Sequence, residues 1–304
     1  MKSPKLSIVS ATYNDSQFAP ALYSSIQQQL EKAEWEWIIV NDGSDEPHAN
    51  QLHEFAKERP CTLLTIKNSG PAIARDVGIA AAKSDVVQVI DVDDIALVEN
   101  IELGLQKQQE CQLDIVVGDC IEFYEDGTED HYWQRGPIDV AAMIHKNQWI
   151  ISNLFTKSIW ETVGGFTTKQ EFPTEDYVFW TKCIAAGATL GYINLPLIRY
   201  RRKALGSRNS KKRSYDEKLQ LRRALHPHQK EIIESNFGAE EKKQLLAVVN
   251  AKRGYYETQS GNFQLGIRLL KKSISDHPNK GRLAEILLKS IPKRLLKKGF
   301  GIEL

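Results

Sequence analysis

The sequence predicts an α/β fold in which helices cover both faces of a mostly parallel sheet, followed by a helical extension at the C-terminus. Four continuous apolar runs of strand length alternate with segments of helical periodicity in the first 97 residues. This alternation is typical of parallel strands that are joined by helices and buried on both faces. Beyond residue 205 the sequence becomes basic and has the composition of helices.

The elements of the first half follow from these runs. Each predicted strand is a short apolar segment that ends in a polar loop, and the four strands span residues 6–11, 37–40, 61–66 and 86–90. Helical spacing of apolar residues predicts the helices, which span residues 20–30, 48–58, 72–82 and 98–110. Pro71 suits the first turn of the third helix, because its missing N–H has no partner there.

The second half is predicted from weaker patterns. In chain order we expect a strand over 115–123, a loop over 126–137 and a turn over 163–166. A helix over 177–186 would be closed by Gly187, and a strand over 190–200 would be interrupted at Pro196. A basic loop is predicted over 201–213, and helices follow from Tyr215.

The charged residues divide the chain into an acidic and a basic part. Residues 1–198 carry 14 Lys and Arg against 29 Asp and Glu, a net charge of −15. Residues 199–304 carry 26 against 10, a net charge of +16. We therefore expect one domain over 1–205 and a basic helical region over 206–304 that meets a polyanion.

Targeting and cysteine patterns limit the class of protein. We expect no secretory signal and no membrane-spanning helix, because the sequence has neither a signal-type N-terminus nor about 18 consecutive apolar residues. The four cysteines show no CxxC spacing, so we expect neither disulfides nor a zinc site. A cytoplasmic protein, or one held at the inner face of the plasma membrane, fits these patterns.

Three carboxylates follow directly on the fourth predicted strand, in Asp91, Asp93 and Asp94. Like charges this close are costly unless a cation compensates them. Carboxylate oxygens suit Mg2+ or Mn2+, which also bind diphosphate oxygens. An acidic turn that caps a helix is the alternative. We favour the metal site, because polar loops also end the other three strands and would share one edge of the sheet.

Two of those loops carry further candidates. Asp42 lies in a glycine turn, where it could accept a hydrogen bond from an imide N–H such as that of uracil or simply cap the turn. Gly70 allows close approach of the backbone ahead of a helix N-terminus. Arg75, one turn into that helix, could reach a base carbonyl or a phosphate, or it could be a surface residue paired with Asp76 or another acid.

Glu175 and Asp176 open the predicted helix of the second half. Acidic residues are common in a first turn because they suit the helix dipole. In a crevice, one of them could instead be the general base that takes a proton from an acceptor hydroxyl. The sequence alone leaves both interpretations open.

Taken in order, six motifs resemble those of the inverting glycosyltransferase family 2, whose members have the Rossmann-like GT-A fold. The resemblance spans residues 5–205, and its motifs are SIVSATYN at 7–14, NDGS at 41–44, NSGP followed by AIARDVG at 68–78, DVDD at 91–94, GGF at 164–166 and ED at 175–176. It implies an enzyme of the 2.4 class that transfers a sugar from a nucleotide-diphosphate sugar, with UDP-sugars favoured. The acceptor would be a hydroxyl of a glycan or a lipid-linked glycan in bacterial cell-surface synthesis.

The resemblance also implies roles by position. Residues 1–97 would bind the nucleotide sugar and residues 98–205 would form the acceptor side. The nucleotide would be held by residues at the ends of the first four strands, namely Thr12, Tyr13, Asn14, Asp42, Gly70, Arg75 and Asp91. Among them, Tyr13 would stack on the base, Asp42 would bond it, and Arg75 would contact the base or a phosphate.

For the chemistry, the resemblance implies Asp93 as the metal ligand, with Asp91 contacting ribose or supporting the metal. Asp176 would be the general base and Glu175 its support. The basic loop would close over the diphosphate through Arg201, Arg202 or Arg208. The sequence departs from the family pattern at Ala11, where proline is frequent, and at Lys182, where an arginine is common. A histidine metal ligand is also missing from the basic loop.

Two alternative functions remain open at this point, and so does the partner of the tail. A sugar nucleotidyltransferase would share the sheet, but it usually carries a glycine-rich loop after the first strand, where this chain has Thr12–Asp15. A non-catalytic scaffold would use the helical tail for binding. The tail itself suits an anionic membrane surface or a solvated helical cap, and nucleic acid is the least favoured partner because aromatic residues are not interleaved with the basic ones.

Overall fold

The protein is described from a computed structural model that covers residues 3–124, 131–133, 136, 138–166, 175–202 and 214–276. The chain divides into two compact units. The first consists of residues 1–138 and 148–210, and the second of residues 139–147 and 211–304.

In its described part, the first unit contains one mixed sheet. Its strands are β1 (Leu6–Thr12), β2 (Trp35–Asn41), β3 (Thr62–Thr65), β4 (Val86–Val89), β5 (Ile95–Ala96), β6 (Ile115–Tyr124), β7 (His131–Trp133), β8 (Leu154–Thr156) and β9 (Leu190–Arg202). Their order is β3-β2-β1-β4-β8-β6-β9-β5, and β7 pairs with β6.

The helices of this unit flank the sheet. They are α1 (Ala19–Glu31), α2 (Glu46–Lys57), α3 (Pro71–Ala81), α4 (Val98–Cys111), α6 (Lys157–Thr162) and α7 (Glu175–Ala185), while α5 (Val140–His145) belongs to the second unit. A 3-10 turn over Ser16–Phe18 precedes α1.

The first four strands confirm the predicted parallel sheet. β1 pairs in parallel with β2 and β4, and β2 pairs in parallel with β3. Beyond β4, β8 joins antiparallel to both β4 and β6, and β9 runs parallel to β6. The register of β6 against β9 shifts between Val117 and Cys120, opposite Pro196. This bulge accommodates the proline, which has no N–H for the ladder.

Helices cover both faces of the sheet, as predicted. Ile8 of β1 packs in a core with Leu22 of α1. Its neighbour Val9 points to the opposite face, where Val9 and Val40 contact the backbone of α3 at Gly78. Successive side chains of a strand alternate between faces, so one strand serves both cores and holds its carboxyl end rigidly.

Local patterns missed two kinds of element. Strand β7 lies inside the segment 126–137, which was predicted as a loop, and it forms because its backbone pairs with Cys120, Ile121 and Glu122 of β6. The six-residue helices α5 and α6 were not predicted, because six residues are too few for a helical period to be recognised.

Strand β9 corrects the predicted basic loop at its start. Arg201 and Arg202 are the last residues of this strand and pair with Phe123 and Tyr124 of β6. The local sequence is basic and gives no strand signal, so a partner far along the chain decides the conformation. The remainder of that loop, including Arg208, lies outside the described residues.

The second unit is helical where it is described. With α5 it contains α8 (Tyr215–Asn236), α9 (Ala239–Gln259) and α10 (Phe263–Asp276). Ser214 and Glu217 form a reciprocal capping box at the start of α8. Among the helices of the described ranges, none combines the length and the apolar character that crossing a lipid bilayer requires.

Candidate active site

Hydrogen bonds join the loops that follow β1 and β2. The backbone N–H of Asp42 donates to the carbonyl of Thr12 (2.9 Å), and the N–H of Asn14 donates to Ser44 Oγ (3.0 Å). Asn14 Nδ2 donates to Asp45 Oδ2 (2.8 Å). Asn14 has a φ of +58°, which asparagine tolerates better than most residues. The two loops therefore form one surface at the carboxyl ends of their strands.

The carboxylate of Asp42 ties the third loop to the second. Asp42 is buried, and its two oxygens accept the backbone N–H groups of Ser69 (2.7 Å) and Gly70 (2.8 Å). Gly43 has a φ of +71°, and a Cβ there would lie 2.6 Å from the backbone nitrogen of Asn68. The close contact of these loops therefore requires glycine at position 43. Each Asp42 oxygen keeps a lone pair for a further donor.

Arg75 connects the fourth strand end to helix α7. Its Nη2 donates to Asp91 Oδ1 (2.9 Å) and its Nη1 to Glu175 Oε1 (2.7 Å). Arg75 is only 6% exposed. Burial opposes its charge, but Asp91 and Glu175 outweigh that effect and hold the pKa of Arg75 above its ordinary value. The alternative of a surface arginine is wrong about its position, because Arg75 is buried, whereas the expected pairing with an acid is present, to Asp91 and Glu175 rather than to Asp76.

The acidic turn after β4 is closed on itself and fixed by β9. The N–H of Asp94 donates to the carbonyl of Asp91 (3.0 Å), and Asp94 Oδ1 accepts the N–H of Arg201 (2.9 Å). Arg201 Nε donates to the carbonyl of Asp93 (2.6 Å). Asp94 is buried, and its Oδ2 has no hydrogen-bond partner in the described ranges. Burial, with Asp93 and Asp91 close by, raises the pKa of Asp94 well above its usual range.

The two described arginines of the predicted closing loop are fixed in β9. The guanidinium of Arg201 lies over two aromatic rings, with its Cζ 4.8 Å from the ring centre of Phe18 and 4.5 Å from that of Phe123. Arg202 forms an ion pair with Glu122. Arg201 therefore contacts the acidic turn through both its backbone N–H and its Nε, whereas Arg202 pairs with Glu122 of β6.

The remaining candidates lie at the edges of this surface. Tyr13 is 47% exposed, so its ring is free to stack on a planar group. Thr12 is buried, and its Oγ1 has no partner among the described residues. Asp176 lies in the first turn of α7, where its Oδ1 accepts the N–H of Tyr177 (2.8 Å). The Arg75–Glu175 contact places this turn next to the acidic turn.

A second network on α3 was not predicted. Asp76 Oδ1 accepts Trp160 Nε1 (2.7 Å) and the N–H of Phe166 (3.0 Å). Lys182 Nζ donates to the carbonyl of Gly165 (2.6 Å). These contacts fix the Gly164–Phe166 turn between α3 and α7. Asp76 is more than 80 positions away from both Trp160 and Phe166. Local sequence patterns cannot predict contacts between residues so far apart.

The donor atoms at the acidic turn fit a hard cation only in part. Asp91, Asp93 and Asp94 supply carboxylates, and Asp94 Oδ2 is buried without a partner. Within the described ranges, however, no three His, Cys, Asp or Glu side chains are grouped so that they could hold a metal ion. Mg2+ is commonly bound by one or two carboxylates together with substrate phosphates. The residues present therefore fit a cation whose coordination is completed by a diphosphate.

Comparison with known protein families gives one match over most of the first unit. The profile of Glycosyl transferase family 2 matches residues 7–184. Two curated relatives are glycosyltransferase GlyG of Streptococcus pneumoniae, 27% identical over 44% of this chain, and the poly(ribitol-phosphate) beta-glucosyltransferase of Bacillus spizizenii, 28% identical over 38%. The matched regions span only 45% and 19% of those two proteins.

Solved structures with the same fold cover nearly the whole chain. S. aureus TarS 1-349 in complex with UDP-GlcNAc has a TM-score of 0.64 at 16% identity, covering 95% of this chain and 82% of TarS 1-349. The mannosyltransferase PcManGT of Pyrobaculum calidifontis, in complex with GDP-Man and Mn2+, has a TM-score of 0.54 at 14% identity, covering 99% of this chain and 84% of the other. At these identities the likeness establishes the GT-A fold.

Proposed function

Because this chain belongs to glycosyl transferase family 2, we propose that it transfers a sugar from a nucleotide-diphosphate sugar, with inversion, to a hydroxyl of a glycan or lipid-linked glycan. The donor that we favour is a UDP-sugar, and the setting is the synthesis of a cell-surface polysaccharide. The TarS structure with UDP-GlcNAc and the relative that glucosylates poly(ribitol phosphate) support this choice of donor and setting.

One observation carries the proposal. The four loops at the carboxyl ends of β1 to β4 are joined by hydrogen bonds, from Thr12 to Asp42, from Asp42 to Gly70, and through Arg75 to Asp91. In open α/β sheets, ligands bind at this edge. We propose that Tyr13 stacks on the base, that the free lone pairs of Asp42 accept from it, and that Thr12 Oγ1 and Asn14 line the same subsite.

We further propose that Asp93, with Asp91, holds Mg2+ or Mn2+ at the donor diphosphate. The bound cation would supply charge neutralisation to the leaving diphosphate. Arg201 braces the acidic turn from β9, so the carboxylates keep their orientation without the cation. PcManGT with GDP-Man and Mn2+ offers a precedent for this type of donor and metal.

Asp176 is the proposed general base. An inverting transfer needs no enzyme nucleophile, so this carboxylate has only to take the proton from the acceptor hydroxyl as that oxygen attacks the anomeric carbon. Glu175 is held by Arg75 and fixes the first turn of α7. Arg75 therefore orients the base and the donor side together.

A donor screen tests the proposal. Binding and hydrolysis of UDP-, GDP- and dTDP-sugars would be measured with Mn2+ and with a chelator. We expect donor binding to depend on the metal. Asp93→Ala should abolish it, whereas Asp85→Ala, at an exposed position, should leave it intact. Asp176→Asn should retain donor binding and stop transfer. Normal turnover by Asp176→Asn would show that another group is the base, and donor binding that ignores the chelator would rule out the metal.

The basic C-terminal region, residues 206–304, is proposed to hold the enzyme at an anionic membrane where a lipid-linked acceptor resides. Sedimentation with phosphatidylglycerol vesicles at rising salt tests this. Binding that weakens as salt rises supports the proposal, and a chain that stays in the supernatant at low salt contradicts it.

A further inference from the structure

An arginine without an acidic partner lies in the second unit. The Nε and Nη1 atoms of Arg222, on α8, are shielded from solvent and have no hydrogen-bond partner among the described residues. In the described part of the chain, no ion pair joins an acidic side chain to Arg222. A guanidinium removed from water without an acceptor loses solvation that nothing replaces. Such a group calls for an acceptor that the chain itself does not provide.

A second cation lies beside it. Lys252, on α9, is half-buried and donates to the carbonyl of His145 at the end of α5 (3.0 Å). Burial and the adjacent charge of Arg222 lower the pKa of Lys252 to about 8. The same lysine, after burial, also lowers the pKa of His145. Three basic groups on three helices of one unit therefore converge on one place.

Two acids of the same unit, Asp139 and Glu257, are already engaged elsewhere. Asp139 accepts the N–H of Ala142 as the cap of α5 and acts electrostatically on His145. Glu257 accepts from Arg223 and Asn262. Burial and Arg222 are the influences on the pKa of Lys252, and neither is an acid. The chain thus shields two neighbouring cations in part from solvent, an arrangement that costs free energy unless an anion compensates it.

We propose that Arg222 and Lys252 form a binding site for a phosphate group, separate from the transferase site in the first unit. Either of the two shielded nitrogens forms, with Nη2 of the same guanidinium, a pair of parallel N–H donors that matches two phosphate oxygens. Lys252 adds a point charge from the facing helix. Two sources carry this chemistry, the headgroup of an anionic phospholipid and the phosphodiester of a polyol-phosphate polymer.

The test measures inorganic phosphate binding to the full chain by calorimetry at constant ionic strength, with chloride as the reference anion and no nucleotide present. We expect Arg222→Gln and Lys252→Gln each to weaken phosphate binding at least about tenfold, the loss expected for one charged hydrogen bond. Lys230→Gln removes the same charge from an exposed position of α8 and should leave binding unchanged. If Arg222→Gln does not fold, Lys252→Gln decides alone.

Two further arms identify the source of the phosphate. Wild type and Lys252→Gln are compared on phosphatidylglycerol vesicles and on a soluble polyol-phosphate polymer. The carrier that binds wild type more tightly than Lys252→Gln is the source of the phosphate group. Phosphate affinity that is equal in wild type and both variants, or equal binding of wild type and variant to both carriers, overturns the site. Donor binding in the first unit is unaffected in either case, so the proposed transfer reaction stands or falls separately.

Discussion

Arg75 Nη1 lies 2.7 Å from Glu175 Oε1, although the two residues are 100 positions apart in the chain. The same guanidinium holds Asp91 through its other terminal nitrogen. One buried cation therefore links the acidic turn after β4 with the first turn of α7, which carries Asp176. The proposed metal ligands and the proposed base owe their spacing to this residue.

Removing that cation should destabilise the first unit. We expect Arg75→Met to lower the free energy of unfolding by about 3 kcal/mol, because it leaves Glu175 buried beside a methyl group. Urea unfolding measures the change. Lys57→Met breaks an exposed pair with Glu54 and should cost less than about 0.5 kcal/mol. Equal effects of the two substitutions would contradict the structural role of Arg75.

Alanine substitutions at Gly43 and Gly164 separate the cost of a steric clash from the cost of backbone strain. Gly43→Ala should cost about 2 kcal/mol or more, since it combines a φ of +71° with a Cβ placed 2.6 Å from Asn68 N. Gly164 has nearly the same φ, +70°, but no atom within 4 Å of the added Cβ. Gly164→Ala should therefore report strain alone, at about 1 kcal/mol. Thermal unfolding of both variants would show the difference, and a larger loss at Gly164 would refute it.

Asp42→Asn tests the clamp on the third loop. An amide can accept at its oxygen only, so the Ser69 or the Gly70 N–H loses its acceptor. We expect faster hydrogen exchange at those amides, a stability loss of about 1 kcal/mol and weaker binding of the nucleotide sugar. Asp85→Asn, at an exposed position outside these loops, is the control. Unchanged exchange at positions 69 and 70 would show that the clamp is not formed.

The second unit should lose stability in acid. Hydrogen bonding from Arg223 holds the pKa of buried Glu257 below its ordinary value near 4.5. A lowered pKa in the folded state adds stability that is present above the unfolded pKa and is lost as pH falls through the folded value. Hydrogen exchange of α9 amides should therefore accelerate below about pH 4.5. Glu257→Gln should flatten this dependence, and the exposed Glu241→Gln should not.

The part of the sheet formed by β1 to β4 could be predicted because its determinants are local. Each of β1 to β4 is an apolar run that ends in a polar loop, and those loops do lie together. Contacts between distant segments could not be predicted. The sequence offered Asp76 as a partner for Arg75, but adjacent helical residues face different directions, and Asp76 instead binds Trp160 and Phe166. Arg201 was expected in a loop because the local sequence is basic. Its strand partner, Phe123 of β6, is too far along the chain to be recognised from the sequence.

The contacts of α3 have a consequence for work with fragments. Its neighbouring residues Arg75 and Asp76 take their partners from α7, α6 and the turn before α7, and β4 completes its ladder with β8. A piece ending at residue 97 would contain the whole segment proposed to bind the nucleotide, but its Arg75 would lose Glu175 and keep only Asp91, and its sheet would have an open edge at β4. Half of this molecule is therefore not a smaller working version of it, and an engineered exchange of acceptor specificity would have to carry α3 along with the second half.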